Sequence, residues 1–263
     1  DTSEAFRYKF PACKERAEPN SSSPVCMMKI RVLIAVVSAV LFALGIALPP
    51  FTSAKDPTGK FVLVIDPAHG GPDDGVQLAR KVVEKDITLS IATLVKRNLE
   101  DAKNVTVRFT RMGDAGVAMT DRVGAAIKAQ ADLFISIHVN AGFEKEAAGY
   151  ELYFPGFAAQ ETARGASKGE SAAIVRDLVR TKHLNETVRF AQILQKNLEP
   201  VFPRQARGLR SAPVPILKNV AIPAVVLETG FATNPNDRRK LQDESIQASV
   251  AKAIADSVRE YFQ

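Results

Sequence analysis

Apolar and polar positions fall in alternating blocks over residues 61–262, and the blocks predict strands and helices in turn. Phe61 to Ile65 (FVLVI) is an unbroken apolar run, as in a strand buried on both faces. It stops at Asp66-Pro67, and a polar, glycine-rich loop carries the chain past His69 to Glu84. A helical pattern begins there over 84–101, with Ile87, Leu89, Ile91, Leu94, Val95 and Leu99 at mostly helical spacing. Asn104 turns into a strand over 105–110 (VTVRFT), and Arg111 to Gly116 is a loop. Thr120-Asp121 is expected to cap a helix that runs through about Ala129. DLFISIHVN (132–140) is apolar on both faces, as a central parallel strand should be, and Gly149 to Phe154 is a further strand.

The pattern weakens over 155–187. Gly, Ala, Ser and charge dominate 156–171, and IVRDLVR (174–180) is a short amphipathic piece. This is longer than most α/β connections, so it is expected to be an insertion, a lid or a mobile loop. A clear helix follows over 186–199, then a loop over 207–220 with a short strand at Pro215 to Leu217. AVVLET (224–229) is a strand, and Asn234-Pro235-Asn236-Asp237 opens a last helix that runs, with a break, to Tyr261. There is no internal repeat. The expected fold class is α/β: one domain, with a mostly parallel twisted sheet of about six strands and helices on both faces.

The first part of the chain has a different character. Residues 1–27 are polar and without period, an expected leader upstream of a start at Met27 or Met28. Lys29 and Arg31 then precede an apolar run from Val32 to Leu48, a Pro49-Pro50 break and the small residues Thr52-Ser53-Ala54. That order predicts a secretory signal over 28–54, cleaved near Ala54, with an uncleaved membrane anchor as the rival. Residues 55–263 are then expected to be the exported domain.

Composition adds limits. Apolar content of 46% and charged content of 24% are globular values. The net charge of +6 comes from scattered Lys and Arg, so it does not call for nucleic acid, though it suits an anionic polymer. Only Cys13 and Cys26 are present, both far from the histidines, so no cysteine-rich metal site is available.

The chemistry lies where apolar strands end. His69 follows the first strand, His138 ends the central one, and Glu228 ends the last clear one; Glu84 closes the histidine loop. In parallel α/β sheets, sites form beyond the carboxyl ends of strands. Catalytic zinc takes three ligands from His and carboxylate and leaves one position for water. His69, Glu84 and His138 are therefore expected to hold one Zn2+, with Glu228 as the base beside it. Taken singly, each has a plainer role: a capping histidine, a helix-start carboxylate favoured by the macrodipole, an ion-paired strand end. His183 has no acidic partner at useful spacing and is assigned to packing.

IDPAHGGPDDG, Glu84-Lys85-Asp86, Arg122, ADLFISIHVNA, Gly149-Tyr150-Glu151 and PAVVLETGFATN together resemble the zinc-dependent N-acetylmuramoyl-L-alanine amidases of bacteria, enzymes of sporulation, autolysis and daughter-cell separation. The resemblance implies zinc on His69, Glu84 and His138, a catalytic Glu228, and peptidoglycan as substrate. Ala68 departs from the family's usual Gly, which raises whether the loop needs a positive φ there. Ile127 stands where an Asn is common.

On this basis Glu228 would take a proton from water and return it to the amine of L-alanine. Asp66 and Asn140 are the candidates for orienting the ligands, or else they cap their loops. Arg122 orients a site loop, holds a substrate carboxylate, or makes a surface ion pair. The insertion 155–187 is expected either to gate the site or to be a plain mobile loop. Gram-negative members of the family are similar in carrying a blocking helix there that an activator protein displaces. Glu170 or Glu161 would then be the autoinhibitory carboxylate. The rival functions are a zinc exopeptidase and an inactive peptidoglycan-binding module.

Overall fold

In a computed structural model of the chain, residues 60–142, 146–155, 170–218 and 220–263 are described. The expected leader, signal segment and Glu161 lie outside them. The described residues all belong to one compact unit, Ser53–Gln263. Among them, no helix is long and apolar enough to cross a membrane.

The apolar run at Phe61 becomes β1 (Phe61–Pro67), buried on both faces from Val62 onward. A two-stranded ribbon, β2 (Gln77–Ala79) and β3 (Val82–Val83), brings the loop back to α1 (Glu84–Asn98). Glu84 and Asp86 in the first turn and Lys96 and Arg97 in the last suit the helix dipole. Then come β4 (Val105–Phe109), α2 (Met119–Lys128), β5 (Leu133–Asn140) and β6 (Tyr150–Pro155). The chain continues as α3 (Glu170–Leu198), β7 (Ala206–Ala212), β8 (Ala224–Phe231), α4 (Pro235–Gln242) and α5 (Glu244–Tyr261).

One sheet runs in the order β4-β1-β5-β8-β6-β7. All neighbouring pairs are parallel except β6 against β8. From β1 the chain crosses to β4 on one side and then back past β1 to β5 on the other. Right-handed crossovers in opposite directions place their helices on opposite faces. So α1 packs Ile87, Ile91 and Val95 with Leu63 and Ile65, while α2 packs Val123 and Ala126 with Val62 and Val64. The reversal leaves a crevice beyond the ends of β1 and β5, where ligands bind in such sheets. The α1 face is further covered by α3 and α5; the α2 face is otherwise closed by a 3-10 turn at Pro215–Leu217.

Several expectations are corrected. The short strand at Pro215–Leu217 is that 3-10 turn, and the loop before it is edge strand β7. Residues 170–187 belong to one continuous helix with 186–198, so an irregular insertion cannot extend beyond 156–169, which are not described. Thr120 and Asp121 do not cap α2: Ala118 stands at the N-cap, with no side-chain hydrogen bond. β8 continues past Glu228 to Phe231, so the carboxylate sits inside the strand rather than at its end. The last helix does break: Asp243 stops α4 and its side chain accepts from Ser245 N–H to start α5.

Candidate metal centre

Glu84 is the hub of the site. It is 1% exposed, at the first turn of α1, and each of its oxygens has two neighbours. Oε1 accepts from Val139 N–H at 2.8 Å and lies 3.2 Å from His138 Nδ1. Oε2 accepts from Val76 N–H at 2.9 Å and lies 3.0 Å from His69 Nε2. Burial alone would push this carboxyl up, but the contacts with His138 and His69 and the two backbone N–H groups outweigh it and hold the value at about 2. His69 moves the other way. The Glu84 contact raises it, burial opposes, and Asp73 adds to the rise, bringing it to about 9. Asp73 Oδ2 is 2.8 Å from His69 Nδ1. With the Nδ1 proton committed to Asp73, Nε2 faces Glu84 and His138. Ligand atoms of His69, Glu84 and His138 all lie within 4.8 Å of one another, so the three segments converge as expected.

The loop that carries His69 has a demanding backbone. His69 itself has φ 60°, a left-handed conformation unusual for a residue with a side chain. Ala68 is not among the positive-φ residues, so alanine fits where the family usually has glycine. Gly75 has φ 66°, and a Cβ there would stand 2.6 Å from both Glu84 Oε2 and His69 Cδ2. Two buried guanidinium groups hold the loop's carbonyls. Arg111 donates to Pro67 O and Ala68 O, and Arg122 donates to Pro67 O and His69 O.

Asp66 and Asn140 make no hydrogen bond to the side chains of His69, Glu84 or His138. Asp66 accepts from Arg122 at 2.8 Å, Thr110 at 2.5 Å and Ser136 at 2.7 Å, and it acts on His69 only through Arg122. Arg122 is therefore a loop-orienting residue; neither a surface ion pair nor an available substrate anchor describes it, because its ion pair with Asp66 is buried. Asn140 donates instead to Glu151 Oε2 at 2.9 Å.

Glu228 pairs in register with His138 on one side and with Glu151 on the other. Residues paired in register point to the same face of a sheet. That row leads from the cluster to the arginines of β7. Glu228 Oε2 is buried with no hydrogen-bond partner, one of two such side-chain atoms among the described residues. A buried orphan oxygen is costly unless something else reaches it. Burial pushes Glu228 up to about 7, with Glu84 and Glu151 adding to the rise and His138 and His69 opposing it. Glu170 starts α3, but the position of its side chain is not described, and the expectation for Glu170 and Glu161 falls there.

Sequence reasoning missed Asp73, Gly75, Arg111 and the pair Arg207 and Arg210. Asp73 stands four residues after His69 and was available from spacing alone. The arginines lie on a strand whose sequence reads as a loop.

A mostly parallel sheet with a His–Glu–His cluster able to hold a metal ion at its switch point, and an unpartnered carboxylate beside it, is the plan of an α/β hydrolase. Comparison with known proteins narrows this. The N-acetylmuramoyl-L-alanine amidase family, Amidase_3, matches residues 63–260. N-acetylmuramoyl-L-alanine amidase AmiA of Escherichia coli is 32% identical over 228 residues, covering 80% of this chain and 78% of that protein. CwlM of Bacillus licheniformis, an amidase of the same name, is 32% identical over 203 residues, 76% of this chain and 68% of its own. The catalytic domain of CwlV from Bacillus (Paenibacillus) polymyxa superposes with a TM-score of 0.62 at 28% identity, over 77% of this chain and 98% of that one. The chain belongs to the N-acetylmuramoyl-L-alanine amidase family.

Proposed function

We propose that the chain hydrolyses the amide bond between the lactyl group of N-acetylmuramic acid and L-alanine in peptidoglycan, with one zinc ion held by His69, Glu84 and His138. The donor set supports the metal: two imidazoles and a carboxylate match zinc's borderline softness, and three protein ligands leave a position open. When bound there, zinc supplies Lewis acidity, polarising the amide carbonyl and lowering the pKa of water. The rest falls to the chain's own groups. Glu228, through its orphan Oε2, accepts a proton from the attacking water and delivers it to the amine of L-alanine as the C–N bond breaks. Asp73 holds the Nδ1 proton of His69, and Arg111 and Arg122 keep the His69 loop in place.

The observation that carries this reading is the orphan carboxylate oxygen of Glu228, in register with a histidine of the cluster. Glu228→Gln removes the base while keeping the shape. Turnover of purified peptidoglycan is expected to fall by roughly 10²–10⁴-fold. Zinc content should not change. Undiminished turnover in this variant would overturn the assignment. The products separate the rival enzyme: an amidase releases peptides headed by L-alanine, whereas an exopeptidase releases free amino acids.

Because peptidoglycan lies outside the cytoplasm, we place the chain in the periplasm or cell wall, exported by the segment 28–54. We also propose that the segment between β6 and the buried second half of α3 gates the site and that an activator protein displaces it. Ile174, Val175, Leu178 and Val179 of α3 support this, being exposed apolar side chains on the helix that follows the undescribed stretch.

A further inference from the structure

The row of polar side chains that crosses the sheet from the cluster does not end at Glu228. Its next member, Glu151 on β6, is 3% exposed and heavily bonded. Oε2 accepts from Asn140 at 2.9 Å and from the Tyr153 hydroxyl at 2.7 Å. Oε1 accepts from Arg207 Nε at 2.9 Å and lies 3.3 Å from Arg210 Nη2. Both arginines come from edge strand β7, and both lean back over the sheet toward β6. The Arg207 guanidinium also sits 5.2 Å from the centre of the Phe231 ring.

The contacts are uneven: the single carboxylate of Glu151 is shared by two guanidinium groups. A guanidinium carries five N–H donors, and most of those on Arg207 and Arg210 have no acceptor among the described residues. Their side chains are 38% and 48% exposed, open enough to receive a ligand. A simple ion pair with Glu151 needs one arginine. Two, fixed by the same buried carboxylate next to the catalytic row, form a preorganised cationic fork of the kind that binds carboxylates.

We propose that Arg207 and Arg210 form a subsite for the α-carboxylate of the second stem-peptide residue, a γ-linked glutamate, following L-alanine. The proposal rests on the amidase reading and names the part of the substrate that lies beyond the scissile bond. The spacing agrees. Adjacent strands are about 4.8 Å apart, so guanidinium groups drawn back to β6 lie roughly 5–10 Å from Glu228. A carboxylate two residues along an extended peptide lies about 7 Å from the scissile amide. Glu151, Asn140 and Tyr153 are positioning residues here: they hold the arginines and are not themselves aimed at the carboxylate.

The test uses the zinc-loaded protein and two muramoyl peptides that differ in one group. One carries the free α-carboxylate on its second residue and the other carries a carboxamide there. The protein is expected to prefer the carboxylate by roughly tenfold or more in kcat/KM, mainly through KM. In Arg210→Gln that ratio should fall towards one, and Arg210→Lys should restore part of it. Arg207→Gln is the second variant, since Arg207 lies closer to Glu151 and its loss tests whether both arms are needed. Equal use of the two peptides by the unmodified protein overturns the subsite and leaves the amidase reading standing. A ratio that survives both glutamine variants also overturns it. Hydrolysis of neither peptide by the zinc-loaded protein, and of neither by its zinc-loaded 158–180 deletion, overturns the amidase reading, and the subsite with it.

Discussion

Asp73 illustrates how little of a side chain's importance depends on burial. It is 66% exposed, and its loss should leave folding nearly untouched. Yet its Oδ2 fixes the Nδ1 proton of His69, the step that turns Nε2 toward Glu84 and His138. Asp73→Ala is therefore expected to weaken zinc affinity by about 10–100-fold with an unchanged melting temperature of the metal-free protein. Competition with a chelator measures the first and thermal denaturation the second. Unchanged zinc affinity would show that the ring is oriented by the loop backbone alone. The three proposed ligands were legible in the sequence because each is a polar group set against an apolar run, where burial is costly without a use. Asp73 and Gly75 were not, because a polar loop has no period against which one residue stands out. Gly75 matters through the side chain it lacks, and only the 2.6 Å approach to Glu84 and His69 reveals that.

At the scale of elements, most strands and helices were legible, and the two failures have opposite causes. β7 (ARGLRSA) is an edge strand with a half-exposed pattern and few apolar residues, so nothing alternates strongly enough to mark it. The first half of α3 also fails the usual test, for the opposite reason: its apolar positions are present but face solvent. Leu178 is 65% exposed and Val175 59%, whereas Phe190, Leu194 and Leu198 in the second half are fully buried. A helix whose halves differ this much is packed by one end only. Deleting 158–180 removes the exposed end and the undescribed stretch before it, while keeping the buried anchor. The shortened protein should fold with its core intact and digest purified peptidoglycan faster than the full chain. Equal rates would remove the gate and leave the apolar stripe without a role in activity.

At the scale of the whole molecule, the proposed metal site borders the core. Glu84 accepts from the N–H groups of Val139, a member of the apolar cluster on the α1 face, and of Val76, which packs against it. Without metal, Glu84 still joins both histidines, so chelation should abolish turnover while leaving the far-ultraviolet circular dichroism unchanged. The pH dependence of zinc's stabilising effect then follows from His69. In the metal-free protein its pKa is raised to about 9, so the protonated ring stabilises the fold fully below its ordinary value of 6.5. That contribution is lost as pH rises towards about 9. A metal ligand must be neutral, so zinc displaces this proton, and one displaced proton costs about tenfold in affinity per unit of acidification. The two statements describe the same proton, so the gap reports a single linkage. The gap in melting temperature between zinc-loaded and stripped protein should therefore widen from about pH 6 to about pH 8 at fixed excess zinc. A gap that stays constant or narrows across that range would mean that His69 keeps its proton and is not a ligand.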